Sequence, residues 1–527
     1  MKKEILIVFL FALLFTLPVL IATRFSSFKL DSDYDMGLPL YHFISDYVRS
    51  YRSIPIWNPY IGTGISVIGD PTSMILNPFA IIPIVLFGED PGMRILIALT
   101  IIMSGISMWI FLTIVGIKGV VRIWGSILYE VSGPLAAAIA AGHGGKILTY
   151  PFIPLFLALT ISPKVKKINI LLSSVVLSLV FFSGDFYTLW FLVIFYFLIK
   201  GFYFIRKSNK VNILIESIIF FAIFVIISSI KLMPFIKDVN PQMARFFPID
   251  PYAGSIHAFL SPLAFIIPFG VEFYDRPFFQ RTLGFHFNWY EYFAFISPLP
   301  FIFLLRIKKV LKKEIIIIFL LIIFVGMLYI SLKYPYSPFY WLYKFFPLVQ
   351  SFRVPQRIFT PITAVLIALF AMCAKDWLKN TKLKKKFFII YTILILSVGW
   401  TFFVNQQTLV KAFDAPRKEE EAIAKELRKK DNSSYYVVTF VCCTQTFLIR
   451  EKIPILNFYY GWRPKGTPNF INKKGDGYDF SVLKNVKPKY IISDNNKNFS
   501  EYSYYAFLEN SKIRIWKTDK SNIFPKL

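Results

Sequence analysis

Three aspartates, Asp31, Asp33 and Asp35, occupy alternating positions early in the chain. In an extended segment, this alternation places all three carboxylates on one side of the backbone. Carboxylates gathered in this way can hold a divalent cation such as Mg²⁺ or Mn²⁺, or one of them can act as a general base. The alternative is a solvated acidic turn that only caps the end of the preceding helix. The residues alone leave both interpretations open.

Four basic residues are candidates for binding an anion. Arg353 and Arg357 are four positions apart, so they share one face if the segment is helical. The planar guanidinium fork binds two phosphate oxygens at once, although anchoring to lipid headgroups explains the same pair. His143 and Lys146 follow a helix rich in Ala and Gly, where their default role is a helix C-cap with a favourable charge for the helix dipole.

Three further acids are candidates because of their positions. Asp185 and Glu291 lie at the predicted exterior boundaries of membrane segments, where an ionisable residue is a functional candidate by default. Pairing with a nearby Arg, or reaching to the membrane surface, would explain them as well. Asp70 precedes Pro71, which is typical of a helix N-cap followed by Pro at the first helical position.

The composition indicates a membrane protein. Of the 527 residues, 56% are apolar, 18% are aromatic and only 17% are charged, and the mean hydropathy is +0.56. A soluble domain carries about 25% charged residues, and a disordered chain is poor in apolar residues. Three cysteines, Cys373, Cys442 and Cys443, are too few for a disulfide framework, and they do not have the spacing of a zinc site. We therefore predict an all-α polytopic membrane protein.

Membrane helices need about 20 mostly apolar residues. Eleven segments, and possibly more, meet this condition approximately. They are 4–23, 92–117, 120–141, 147–162, 168–183, 185–205, 211–233, 289–306, 314–332, 357–374 and 387–404.

Charged connections predict the orientation of these segments. Lys2 and Lys3 precede the first segment, and every second connection is a short basic patch, which is typical of the cytoplasmic side. The prediction is a multi-pass protein of the cell (plasma) membrane, with the N-terminus in the cytoplasm and the C-terminal tail outside. The net charge of +28 is then explained by topology and by attraction to anionic lipid, so no nucleic-acid partner is expected.

Residues 1–404 are predicted to form the transmembrane domain, with exterior loops at 24–91, 234–288 and 333–356. Within the first loop, the apolar stretch 74–88 is too short for a comfortable span and is interpreted as re-entrant or interfacial. The tail, 405–527, begins with a helix signature at 416–430, where acids come early and bases late. Strand-like runs follow, and they predict a small exterior α+β domain.

Several segments together resemble the YfhO-like membrane proteins, within the wider group of GT-C-fold glycosyltransferases. The resemblance runs in order along nearly the whole chain. It rests on the acidic motif after the first helix, IPIWNPYIGTG at 54–64, the Asp70-Pro71 pair, AGHGGK at 141–146, SGDFY at 183–187, WYEY at 289–292, SFRVPQR at 351–357 and LKNVKPKYII at 483–492. The D-x-D-x-D spacing departs from the family's acidic motif, so which aspartate matches the family's acid is open.

This resemblance implies a transferase that takes a sugar from a polyprenyl-phosphate donor and places it on a lipid, glycan or protein acceptor at the outer face. Asp33 is the preferred catalytic base, followed by Asp35 and Asp31. Arg353, Arg357, His143 and Lys146 are expected to bind the donor phosphate.

Two alternatives remain. One is a non-catalytic relative that presents or moves lipid-linked glycans, and the other is an unrelated multi-pass transporter. A transporter is expected to carry ionisable residues within its spans. The predicted spans contain few acids, among them Glu130 and Glu216, whereas the other acids gather in exterior loops. This distribution favours chemistry at the membrane surface.

Overall fold

A computed structural model describes most of the chain. The described residues are 2–22, 26–30, 32–62, 64–162, 167–206, 210–238, 256–268, 289–330, 339–345, 354–379, 384–433, 436–439, 444–456, 488–493, 503–507 and 514–517. Asp31 and Arg353 lie outside this set, as do Cys442, Cys443 and most of the predicted loops 234–288 and 333–356.

Helices dominate the described residues. The α-helices are Lys2–Ile21, Tyr34–Tyr51, Pro78–Phe87, Glu89–Ile114, Val120–Glu130, Gly133–Ala141, Gly144–Thr149, Phe152–Ile161, Lys167–Phe182, Phe186–Arg206, Lys210–Asp238, Ile307–Val310, Glu314–Ile330, Tyr340–Phe345, Phe359–Lys379, Lys384–Leu409, Lys418–Lys430 and Thr444–Arg450. The 3₁₀ helices are Ile256–Phe265, Trp289–Glu291, Leu299–Arg306, Pro355–Ile358 and Val410–Ala412.

Within the described residues, eight helical segments are long and apolar enough to cross a membrane. They are Lys2–Ile21, Glu89–Ile114, Val120–Ala141, Gly144–Ile161, Phe186–Arg206, Lys210–Lys237, Pro355–Lys379 and Phe387–Ala412. Each coincides with a predicted span, so the prediction of a membrane-embedded helical protein is confirmed. Two other predicted spans, 168–183 and 314–332, correspond to shorter apolar helices, Lys167–Phe182 and Glu314–Ile330.

The predicted span 289–306 is not one continuous α-helix. Residues 292–298 separate the two 3₁₀ segments Trp289–Glu291 and Leu299–Arg306. Pro298 and Pro300 explain the difference, since proline has no backbone N–H and its ring disfavours an α-helical conformation before it. The apolar composition of this segment was therefore a misleading signal for a regular helix.

The span Val120–Ala141 is broken at Val131 and Ser132. The Nδ2 group of Asn405 donates to the backbone oxygens of Val131 (2.7 Å) and Phe295 (3.1 Å), and the Gly133 N–H also donates to the Phe295 oxygen (2.9 Å). Side-chain donation from a neighbouring helix thus satisfies a backbone oxygen that the break releases, as irregular backbone within a membrane requires.

The chain divides into two compact units. The first comprises Met1–Ile21, Arg94–Ser229 and Ile249–Ala412, and the second comprises Ala22–Met93, Ile230–Pro248 and Phe413–Leu527. The first unit contains most of the membrane helices, and its buried side chains are mainly apolar.

The second unit joins the predicted first exterior loop to the tail. Strand Ser27–Phe28 pairs with Phe413–Asp414, and Trp57–Asn58 pairs with Ile65–Ser66. A four-stranded sheet has the spatial order Val437–Thr439, Tyr490–Ser493, Arg514–Lys517, Ser503–Phe507, with its first pair parallel and the others antiparallel.

Ion pairs and backbone hydrogen bonds hold the first loop and the tail together within this unit. Glu89 accepts from His42 at 3.3 Å and from Arg450 at 3.1 Å, and Asp46 pairs with Lys452 at 3.0 Å.

Candidate functional site

In the first unit, one close backbone approach brings two of the predicted site segments together. Gly142 ends helix Gly133–Ala141 in the left-handed region, with φ +79°, and the short helix Gly144–Thr149 starts after His143. A Cβ at Gly145 would lie 2.7 Å from the backbone oxygen of Ser183 and 3.2 Å from the backbone nitrogen of Asp185. Glycine at 145 therefore lets the segment with Lys146 contact the turn before helix Phe186–Arg206.

Glu291 and Arg357 form a two-point ion pair. The Arg357 Nε donates to Glu291 Oε2 at 2.7 Å, and Nη2 donates to Oε1. The guanidinium also lies over the ring of Tyr187, 4.4 Å from its centroid. Two of the five guanidinium N–H groups are therefore used by Glu291, and within the described ranges of the chain three are left for another acceptor.

Lys146 lies beside this pair. Its charge interacts with those of Glu291, Arg357 and Asp185, and only 7% of the residue is exposed. Among the residues that the structure describes, its ammonium group makes no hydrogen bond or ion pair. An unpaired buried charge is costly, so a lysine in this state is suited to an anionic ligand.

Asp185 has a positioning role. Its Oδ2 accepts the hydroxyls of Thr149, at 3.1 Å, and Thr188, and its Oδ1 accepts the Thr188 N–H at 3.2 Å. The last bond caps the N-terminus of helix Phe186–Arg206, because Thr188 is its third residue. The carboxylate thereby fixes the turn of that helix that carries Tyr187.

His143 also belongs to this cluster. Its ring lies edge-on to that of Tyr290, with centroids 5.0 Å apart, and it interacts electrostatically with Glu291. His143, Lys146, Asp185, Glu291 and Arg357 were all predicted as site residues, and the structure brings these five together. Lys146 is not part of a helix C-cap, since it lies within helix Gly144–Thr149.

The acidic motif of the predicted first exterior loop belongs to the second unit. Asp33 occupies the N-cap position of helix Tyr34–Tyr51, although its side chain makes no capping hydrogen bond. Asp35, in the first turn, accepts the hydroxyl of Thr446 at 2.7 Å. Within the described part of the chain, no group of three or more His, Cys, Asp or Glu side chains could hold a metal ion.

Asp70 is not a helix N-cap, contrary to the prediction. Its Oδ1 accepts the N–H and the hydroxyl of Thr72, at 2.7 and 2.9 Å, and these bonds close a turn that no helix follows. The N-cap is instead Asn77, which accepts the Phe79 N–H at 3.0 Å and is followed by Pro78 at the first helical position. The dipeptides Asp-Pro and Asn-Pro predict a helix N-cap equally well. The structure has a helix directly after Asn77 but only a turn after Asp70.

Lys231 was not predicted from the sequence, although it contacts the Asp70 turn. Its Nζ donates to the backbone oxygens of Pro71 (3.1 Å) and Ser73 (2.7 Å), and only 1% of the residue is exposed. Burial raises the pKa of Asp70 to about 6, against the opposing effects of the Thr72 hydrogen bonds and the charge of Lys231. The available signal was a lysine near the end of a long apolar segment, where an anchoring role in the headgroups is the default.

No protein-family model matches this sequence, and no curated protein matches it. Solved structures share its fold. The arabinofuranosyltransferase AftD from Mycobacteria has 11% sequence identity and a TM-score of 0.51, over 97% of this chain and 39% of AftD. This chain therefore spans about two fifths of the AftD structure.

ArnT from Cupriavidus metallidurans, bound to undecaprenyl phosphate, has 12% identity and a TM-score of 0.52, over 98% of this chain and 99% of ArnT. The apo state of the same protein has 10% identity and a TM-score of 0.51. At these identities the likeness shows the fold alone, and this chain shares the GT-C fold of AftD and ArnT.

Proposed function

We propose that this protein is a YfhO-like membrane glycosyltransferase that transfers a sugar from a polyprenyl-phosphate donor to a lipid, glycan or protein acceptor at the outer face of the plasma membrane. The observation that carries the proposal is the buried Lys146 ammonium without a direct partner in the described structure, beside the Arg357–Glu291 pair. The GT-C fold and the undecaprenyl phosphate bound to ArnT support the same class of donor.

Lys146 and Arg357 have complementary tasks in donor binding. Glu291 and the ring of Tyr187 fix the guanidinium plane, so its three remaining N–H groups are oriented before the donor arrives. Lys146 supplies a compact positive charge. Together they bind the donor phosphate and stabilise the negative charge that grows on it as the bond to the sugar breaks.

The transfer also needs a base. The acceptor oxygen attacks the anomeric carbon, its proton passes to a carboxylate, and the sugar–phosphate bond breaks to release polyprenyl phosphate. In the first unit Glu291 is paired with Arg357 and Asp185 is hydrogen-bonded to two threonines, so neither is a good base. Asp33 stays the proposed base, followed by Asp35 and Asp31, as the resemblance to YfhO-like proteins implies.

Asp33 and Asp35 remain the candidates for a divalent cation together with Asp31. The proposed orientation keeps the N-terminus in the cytoplasm and the tail outside.

Two measurements test this function. Purified Lys146→Met should bind undecaprenyl phosphate at least about tenfold more weakly than the wild type, because one charged hydrogen bond contributes about 1.5–3 kcal/mol. Lys425→Met is the control, since Lys425 is exposed in the tail and pairs with Glu421 of its own helix. Equal binding by the wild type and Lys146→Met would overturn the assignment of Lys146.

The second measurement uses the native host with the gene deleted and complemented by wild type, Asp33→Asn or Asp35→Asn at matched membrane abundance. Mass spectrometry of polyprenyl-phosphate sugars and surface glycans should show a missing sugar that wild type restores and Asp33→Asn does not. Full restoration by both variants, with intact donor binding, would refute the catalytic proposal and favour a protein that presents or moves lipid-linked glycans.

A further inference from the structure

A second polar site lies within the membrane helices of the first unit. A small cleft, partly open to its surroundings, lies between helices Phe152–Ile161, Lys167–Phe182, Phe186–Arg206 and Lys210–Asp238. Its polar lining includes Thr160, Asn169, Ser173, Tyr196, Lys200 and Glu216. It lies toward the ends of these helices that carry the basic residues Lys167, Arg206 and Lys210, which the positive-inside rule predicts to be cytoplasmic.

The two charged side chains of the cleft are only half satisfied by each other. Lys200 Nζ donates to Glu216 Oε2 at 3.3 Å, and each side chain is 15% exposed. An ammonium group has three N–H donors and a carboxylate has two oxygens. As far as the structure describes the chain, two donors of Lys200 and one oxygen of Glu216 therefore remain for a ligand.

The hydroxyls that line the cleft are also available as acceptors. Thr160 donates its proton to the Phe156 backbone oxygen at 2.8 Å, and Ser173 donates to that of Ile170 at 2.9 Å. Both protons are used within their own helices, so the hydroxyl oxygens can accept a hydrogen bond from a ligand. The cleft thus offers cationic donors on one side chain and acceptors on several others.

We propose that this cleft binds the headgroup of a zwitterionic phospholipid with a primary ammonium group, with the lipid phosphate on Lys200 and the lipid ammonium on Glu216. A zwitterion opposite the ion pair adds no net charge to a low-dielectric region, whereas an anionic headgroup adds one. A quaternary ammonium has no N–H to donate and is held by aromatic cages, but only Tyr196 and Phe220 of the lining residues are aromatic.

Exposed apolar side chains next to the cleft favour a lipid over a soluble zwitterion. Leu171, Phe197, Ile215 and Ile219 neighbour the lining residues in sequence and are 43–56% exposed. In a membrane these surfaces contact acyl chains, so the headgroup and the tails of one lipid are both accommodated.

The test measures which phospholipid stays with the purified protein. Wild type is equilibrated with vesicles of equal parts phosphatidylethanolamine, phosphatidylglycerol and phosphatidylcholine, and native mass spectrometry counts the lipids retained. Phosphatidylethanolamine should be enriched. Equal retention of the three classes, or preference for phosphatidylglycerol, would overturn the proposal.

A charge-swapped variant separates lipid binding from helix packing. Lys200→Glu with Glu216→Lys keeps an ion pair between the helices but reverses its direction, so phosphatidylethanolamine retention should fall roughly tenfold, as the loss of a charged hydrogen bond predicts. The unfolding temperature should stay unchanged, and so should lipid retention by the exposed control Lys309→Met. Unchanged retention by the swapped protein would show that the pair is only structural.

Glu216→Gln provides the same test if the swapped chain does not accumulate. It keeps a hydrogen-bond acceptor for Lys200 and removes the negative charge, so preference should shift from phosphatidylethanolamine to phosphatidylglycerol. An unshifted preference would contradict the proposed headgroup orientation. None of these outcomes depends on the proposed glycosyl transfer.

Discussion

Two buried lysines, one in each unit, differ in how their charges are satisfied. Lys231 donates to the backbone oxygens of Pro71 and Ser73 and interacts with the charge of Asp70, whereas Lys146 makes no direct hydrogen bond or ion pair among the described residues. Both are at least nine-tenths buried. Burial alone therefore does not reveal the role of a lysine in this protein.

The difference indicates two functions for the same side chain. A buried charge is retained when hydrogen bonds and an opposite charge compensate its lost hydration. Lys231 meets that condition within the folded chain and acts as a clamp on the 70–73 turn. Lys146 meets it only partly, through neighbouring charges at longer range, and a phosphate ligand would complete it.

The largest expected effect comes from removing the satisfied lysine. Lys231→Met leaves two backbone oxygens and the Asp70 carboxylate buried without their cation, so the free energy of unfolding should fall by about 3–5 kcal/mol. Thermal unfolding in detergent and membrane abundance measure this loss. Lys237→Met, one to two turns further along the same helix, should change it little, and a stable Lys231→Met protein would remove the contrast between the two lysines.

A smaller effect concerns the pH dependence of the clamped turn. The pKa of Asp70 is raised from 3.8 to about 6, mainly by burial. The unfolded chain releases this proton near pH 4 and the folded chain near pH 6. The folded chain therefore holds the Asp70 proton more tightly than the unfolded chain does. The stability that this difference contributes is complete below pH 4 and is lost as the pH rises through about 6. It amounts to at most about 3 kcal/mol.

Asp70→Asn should abolish that pH-dependent loss. Unfolding midpoints between pH 4 and pH 7 would be compared for wild type, Asp70→Asn and the exposed control Asp414→Asn. The difference between wild type and Asp70→Asn should change across this interval, while Asp414→Asn should follow wild type. A difference that is constant with pH would contradict an elevated pKa for Asp70.

The smallest effect on stability is expected at the unsatisfied lysine. Lys146→Met removes a buried charge that has no direct partner in the described structure, so the unfolding free energy should change by less than about 1 kcal/mol or rise. Thermal unfolding without donor lipid is the measurement. A loss as large as that of Lys231→Met would show that Lys146 is a structural residue.

The fold was largely accessible from the sequence because hydropathy marks membrane helices directly. All eight helical segments that could span the membrane coincide with predicted spans. The segment 289–306 was wrong as a helix, since its apolar composition hid the effect of Pro298 and Pro300. The helix break at Val131 could not be predicted either, because the donor to its backbone oxygen is Asn405, which lies far along the chain.

The candidate site was only partly accessible. Residue type, predicted position at the membrane boundary and the family resemblance together named His143, Lys146, Asp185, Glu291 and Arg357 among the candidates, and the structure places these five near one another. The interactions between these residues could not be predicted. The Arg357–Glu291 pair joins positions 66 residues apart, and the contact of Arg357 with the Tyr187 ring involves the helix turn that Asp185 caps. The resemblance to YfhO-like proteins and the roles of Asp31, Asp33, Asp35 and Arg353 stay predictions.

The Asn405 amide has a consequence for how the chain is made. Val131 is synthesised 274 residues before the side chain that satisfies its oxygen. While the ribosome is still translating the intervening helices, that oxygen has no Asn405 to accept from, and an unsatisfied polar group in lipid is costly. We expect the newly inserted bundle to stay loose, and to depend on the insertion machinery, until the helix Lys384–Leu409 enters the membrane and locks the broken span in place.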